Sequence, residues 1–169
     1  MAALAVPPEV DAVFQQVRTC EFTTLAKDDT PITWPTVALY QPAQARFVIT
    51  TSIGLPQKAY NLRRTPRVAM LYSDPTGSGL AAPPVVLVQG NAVCPDQIVT
   101  QNDELDALSR LIMVRQPVSA RYSANPLVRY LSDWYLMRLL IYVTPRRIRW
   151  WPRGDVSRPA AELEVEHVA

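Results

Sequence analysis

Three hydroxyls, a glycine turn and a run of cations stand within one short stretch of this 169-residue chain. Phe47-Val48-Ile49 ends in Thr50, Thr51 and Ser52. A turn follows at Gly54, and Lys58, Asn61, Arg63 and Arg64 come before Pro66. Hydroxyl and amide donors beside clustered cations are the chemistry of a bound phosphate or similar anion. Lys58 sharpens that reading. Pro56 suits the first residue of a helix, where its missing N–H is no loss, so Lys58 falls in the first turn. A cation there opposes the positive end of the helix dipole by roughly 0.3–1 kcal/mol. No Asp or Glu lies between Arg46 and Tyr72 to offset it, whereas a docked anion would. Arg63 and Arg64 fall near the far end, where cations are ordinary. From charge alone a solvated basic helix reads equally well.

The rest of the chain offers little chemistry of its own. No serine sits in a nucleophile elbow, and His167, the single histidine, lies near the C-terminus. Cys20 and Cys94 are too few for a disulfide framework, and with one histidine they make no convincing metal site. They read as small buried hydrophobes. Ser73 to Gly79 is a turn, not a phosphate loop, since no Gly-Lys-Ser/Thr follows. These absences point away from a serine hydrolase, a glycosidase or a zinc enzyme. If the chain is an enzyme, a cofactor does the hard chemistry and the protein orients it.

The elements that position these residues follow from periodicity. Val10, Val13, Phe14 and Val17 recur at helical spacing within Glu9 to Arg18. Cys20 to Ala26 reads as a strand, Lys27 to Thr30 as a turn, and Pro31 to Tyr40 as one further strand with Pro35 at a bulge or edge. With the Phe47 strand these suggest an antiparallel meander able to close into a barrel. The helix after Gly54 is followed by a strand, Val68 to Tyr72, and by Val85 to Gly90. There Gln89 is the polar exception, and Gly90 permits close approach of a ligand or another backbone. Asn102 caps a helix over Asp103 to Met113. Asn125-Pro126 starts another, with Leu127, Leu131, Trp134 and Tyr135 on one apolar face. Leu139 to Val143 is a strand that Pro145 breaks, and Ile148 to Trp151 closes the ordered fold. From Arg153 onward a mobile tail is expected.

The strand ending in Thr50-Thr51-Ser52, then Lys58, Asn61-Leu62-Arg63-Arg64 and Pro66-Arg67, and the later strand with Gln89, resemble the flavin-binding split-barrel family. These are the pyridoxamine 5'-phosphate oxidase-like proteins, and the nearest branch uses FMN or the deazaflavin F420. The resemblance runs from about Val17 to Val93. It implies a mainly β fold, a Greek-key-like split β-barrel with flanking helices, working as a homodimer. One domain would span 1–152, with a helical insertion at about 102–137 and a flexible tail at 153–169. It further implies a cofactor, FMN or F420, in a dimer groove. Thr50, Thr51 and Ser52 would donate to its phosphate, Lys58 and Arg64 would supply charge, and Gln89 would reach the polar edge of the ring. Asn61 would brace the turn; Trp34 and Tyr60 are groove walls or plain packing. The function implied is an oxidoreductase transferring hydride to or from a small organic substrate. The alternative is a non-catalytic protein that stores or senses a flavin or haem in the same groove. The ending Arg149-Trp150-Trp151-Pro152 departs from that of the vitamin B6 oxidases, which puts that substrate in doubt.

Seventeen Lys/Arg against fifteen Asp/Glu leave a near-neutral chain, which argues against nucleic-acid binding by charge. The apolar run Leu136 to Val143 contains Arg138 and is far shorter than the roughly 18 residues of a span. The N-terminus shows no basic region before an apolar core. A cytoplasmic protein, off the membrane, is the expectation.

Overall fold

The structure is a computed structural model that describes residues 4–116 and 137–165. The described residues are mainly β, a curled antiparallel half-barrel sheet with three α-helices. Helix α1 (Pro8–Gln16) has proline in its first turn and turns Val10, Val13 and Phe14 inward. Each such side chain, fully buried, contributes about 1.5–3 kcal/mol. Strands β1 (Cys20–Leu25) and β2 (Pro31–Thr36) form a hairpin, and β3 (Leu39–Gln41) pairs with β4 (Arg46–Ser52). Helix α2 (Gln57–Arg64) leads into β5 (Arg67–Tyr72), β6 (Val85–Val93), β7 (Ile98–Val99) and α3 (Asp103–Arg115). Strands β8 (Arg138–Trp151) and β9 (Ala161–Glu164) complete the described chain.

The sheet runs β2-β1-β5-β6-β8-β4-β3, with β7 and β9 both paired to β8. This order corrects two expectations. Pro31 to Tyr40 is not one strand: β2 and β3 stand at opposite ends of the path. Pro35, which has no N–H to give, sits on the β2 edge, as its chemistry requires. Nor do the first strands form a meander, because β4 lies across the sheet from β1, beside β8. Short-range patterning shows that strands exist; it does not show which distant strand a β4 pairs with.

Pro145 does not break β8. The strand continues through it because the register with β6 shifts between Gln89 and Gly90, pairing Gly90 with Pro145 and Gln89 with Arg147. One extra residue, Arg146, is taken up there, as in a β-bulge. The facing of β8 inverts across it: Leu139, Ile141 and Val143 point into the core before the bulge, Ile148 after it. A Cβ built on Gly90 would stand 2.2 Å from the Thr144 carbonyl oxygen. The close approach that glycine permits is therefore to backbone.

Phe14 fills the inner face, its ring 5.0, 4.9 and 5.3 Å from those of Tyr40, Phe47 and Tyr72. Cys20 and Cys94 are both free and buried, and burial pushes the Cys20 thiol up to about 12. A second cluster, Val48, Leu105 and Leu140, lies where α3 packs against β3 and β4. Asn102 caps α3, its Oδ1 accepting from the Leu105 amide at 2.7 Å. Glu104 then ties α3 to the sheet by accepting from Arg46 and from the Tyr142 hydroxyl.

The segment after Arg153, expected to be mobile, instead turns at Pro152–Gly154 and returns as β9 along β8. Glu162 and Glu164 face Arg149 and Arg147 at 2.5 Å, and Leu163 packs on the core. The helix expected from Asn125-Pro126, with Leu127, Leu131, Trp134 and Tyr135, lies outside the described residues, as does His167. Among the described residues no helix is long and apolar enough to cross a membrane.

Candidate functional site

Helix α2 begins one residue later than its proline suggests. Pro56 is the residue before the helix, with φ −81° and ψ 6°, and Gln57 is the first helical position. Lys58 is then the second, within the first turn. No side chain caps this end. A helix leaves its first N–H groups without intrahelical partners, so the opening turn presents bare amides beside an ammonium.

The Lys58 side chain lies over the Trp34 indole, with Nζ 5.1 Å from the ring centroid. Trp34, Gly54, Leu55, Pro56, Gln57 and Lys58 line a hollow of about 340 Å³. Burial pulls the Lys58 pKa down from its usual value, and the positive charge of Arg138 lowers it further. Among the described residues no carboxylate pairs with Lys58. A cation–π contact offsets part of that cost, by roughly 0.5–2 kcal/mol.

The strand-end hydroxyls surround this turn, yet two spend their protons on backbone. Thr51 Oγ1 donates to the Leu55 carbonyl at 2.7 Å, and Thr50 Oγ1 donates to the Leu139 carbonyl at 3.1 Å. Ser52 Oγ accepts from the Gly54 amide at 3.2 Å. Thr51 and Ser52 are both buried. Their visible work is to shape the turn that delivers Lys58. Asn61 is fully buried and joins α2 to β1, donating to Thr24 Oγ1 at 2.9 Å and accepting from the Gln57 amide at 2.9 Å.

The remaining candidates are elsewhere. Arg64, at the last turn of α2, donates to the Leu25 carbonyl at 2.6 Å, and it does not line the Lys58 hollow. Arg63 pairs with Asp96 at 2.8 Å. Tyr60 is 57 % exposed and does not line the Lys58 hollow. Gln89 points to the outer face of β6, opposite Ala69 and Arg147, and lines a different hollow. The structure thus brings Thr51, Ser52, Lys58 and Trp34 together, and sets Arg64 and Gln89 apart from them within one chain. Arg138, whose charge bears on Lys58, carried no sequence signal: it lies eighty residues downstream and reaches the site only through the pairing of Ser52 with Arg138.

The hollow sets anion donors beside an aromatic face. The α2 amides and Lys58 suit a phosphate, and Trp34 offers an aromatic wall. The Thr50 and Thr51 hydroxyls add no free proton.

No family model and no curated protein matches the chain. Solved structures do match, and they have the split-barrel fold of the pyridoxamine 5'-phosphate oxidase-like proteins. One is a protein related to general stress protein 26, of the pyridoxinephosphate oxidase family, from Clostridium acetobutylicum. It is 9 % identical, covers 93 % of this chain and 92 % of its own, and has a TM-score of 0.60. An F420 reductase is 20 % identical over 85 % of this chain and 98 % of its own, at a TM-score of 0.56. A heme binding protein from Mycobacterium smegmatis is 16 % identical over 95 % of this chain, at a TM-score of 0.58. This chain spans 60 % of that protein's length. At these identities the likeness is one of fold.

Proposed function

We propose that the chain binds a phosphate-bearing flavin-type cofactor, FMN or F420, at the start of α2. It then works as a homodimeric oxidoreductase on a small organic substrate. One observation supports this above the others: a half-buried ammonium in a first helical turn, lying over an indole and felt by the charge of Arg138, with no described carboxylate paired to Lys58. Such an arrangement costs the fold energy unless an anion docks. Bound there, the cofactor supplies hydride transfer through its ring. The protein's own part is to hold the phosphate on Lys58 and the α2 amides, to wall the ring with Trp34, and to keep the turn rigid through Thr51, Ser52 and Asn61. Gln89 and Arg64 meet the cofactor in this reading only across a dimer groove. The neighbouring F420 reductase supports the redox reading. The heme binding protein supports the second one, a store or sensor using the same hollow.

The test is a visible-absorbance titration with FMN and with F420, followed by chemical reduction and reoxidation by candidate substrates. Lys58→Ala is expected to weaken cofactor binding at least about tenfold, since charge-assisted phosphate contacts are the strong ones. An unchanged dissociation constant in that variant contradicts the assignment. Binding without turnover selects the storage reading.

A further inference from the structure

The bulge that carries β8 through Pro145 opens a second hollow, of about 300 Å³, on the outer face of the sheet. It is lined by Arg67, Gln89, Asn91, Arg146, Arg147 and Glu164, with Val68 and Gly90 forming its floor. Three guanidiniums meet one carboxylate there. Arg147 already holds that carboxylate, with Nε 2.5 Å from Glu164 Oε1, and Glu162 lies 3.4 Å from the same nitrogen. Arg67 and Arg146 are left over. Among the described residues neither side chain has an ion pair or hydrogen bond, and both are exposed. The amides of Gln89 and Asn91, which share the outer face of β6, have no described partner either.

The hollow is a consequence of covalent structure, not of a loose loop. Arg146 is the extra residue of the bulge, and the bulge exists because proline cannot donate to the ladder. The partner strand closes on it because position 90 has no Cβ. Arg67 is delivered from the other side, as the first residue of β5 opposite Asn91. Two forked donors and two amides therefore converge on one concavity. Guanidiniums bind carboxylate and phosphate oxygens through paired parallel hydrogen bonds.

We propose that this hollow is a second anion site, which takes the phosphate or carboxylate group of a small molecule between Arg67 and Arg146. It shares no lining residue with the Lys58 hollow. The Lys58 hollow lies at the start of α2, whereas Arg67 of this one follows the end of that helix, which is about 12 Å long at roughly 1.5 Å per residue. Gln89 is common to this hollow and to the cofactor reading, which brings it to the ring across a dimer groove; Arg67 and Arg146 belong to this hollow alone, and the test is read on them.

The experiment is a nuclear magnetic resonance titration of the full chain with inorganic phosphate and, separately, with succinate, at constant ionic strength. Saturable shifts of the Gln89 and Asn91 side-chain amides are expected with at least one probe. Saturation by phosphate alone identifies a phosphoryl ligand, and saturation by succinate alone a carboxylate. The Arg67→Ala/Arg146→Ala pair should weaken binding at least about tenfold. Neither side chain has a described partner, so this variant should melt with the wild type. The Arg67→Lys/Arg146→Lys pair, which keeps the charge and loses the fork, should fall between the two. In Lys58→Ala the Gln89 and Asn91 amides should titrate as in the wild type. No saturation with either probe, or equal affinity in the double alanine variant, overturns the site.

Discussion

Lys58 is held where its charge is a burden, and the burden has a sign. Burial and Arg138 lower its pKa below 10.5 in the fold, while the unfolded chain keeps about the ordinary value. Between those two values the unfolded chain holds the proton more tightly. The cost to the fold is therefore full below the folded pKa and vanishes as pH rises to 10.5. In cofactor-free protein, Lys58→Met should be more stable than wild type at neutral pH, and the gap should close as pH rises; chemical denaturation across pH measures it. A constant gap would mean the ammonium is already satisfied. Cofactor affinity should run the other way, falling as the ammonium deprotonates. Gly90 makes a second claim at this scale. A methyl group there meets a backbone carbonyl at 2.2 Å, and backbone yields less than a side chain. Gly90→Ala should cost about 1–3 kcal/mol and distort the bulge, visible as lost protection of the β6–β8 amides in hydrogen exchange. The sequence marked both residues for the right kind of reason. It put Lys58 in a first helical turn and Gly90 at a close approach, but proline one position too far inside the helix.

Elements were legible where their cause is local. The apolar spacing of α1, the Asn102 cap of α3 and the β-branched runs of β4 and β6 each announce themselves within a few residues. What stayed hidden depends on distant partners. β2 and β3 look like one strand until their two separate neighbours are known. β8 looks broken at Pro145 until β6 is seen to bulge against it. β9 looks like a tail because Glu164 and Glu162 find their partners, Arg147 and Arg149, 17 and 13 residues back in the chain. That strand is held by alternation: Glu162 and Glu164 outward to arginines, Leu163 inward to the core. Arg149 holds the Glu162 carboxyl below its usual 4.5. Its contribution is thus present above that value and lost as pH falls through the lowered one. Salt screens the same pairs. The amide of Val165, which donates to the Arg146 carbonyl at 2.8 Å, should lose protection in acid and at high salt before the β6–β8 ladder does. Simultaneous loss would show that β9 is part of the same cooperative unit.

At the scale of the molecule, the half-barrel has an inner face that α1 fills and an outer face that is finished only in part. Across the outer face, Glu21, Leu71, Leu87 and Arg149 stand in register on β1, β5, β6 and β8. Leu71 and Leu87 belong to neither core cluster. The row runs on to Glu162 of β9, which already holds Arg149 at 2.5 Å, and an apolar pair stands between Glu21 and that ion pair. A two-fold axis through the pair would set leucine on leucine. A surface that complements itself under rotation is the requirement for an isologous dimer. The cofactor reading requires such a dimer, and the apolar pair is the surface proposed for it. Light scattering should give twice the 18.9 kDa of one chain. Leu71→Glu with Leu87→Glu should return the single-chain mass without unfolding the barrel, since neither side chain is in its core. A wild-type mass of one chain would remove the groove, and with it any route by which Gln89 and Arg64 reach a cofactor seated on Lys58. Cofactor binding that survives in a monomer would confine the site to Lys58, Trp34 and the opening amides of α2.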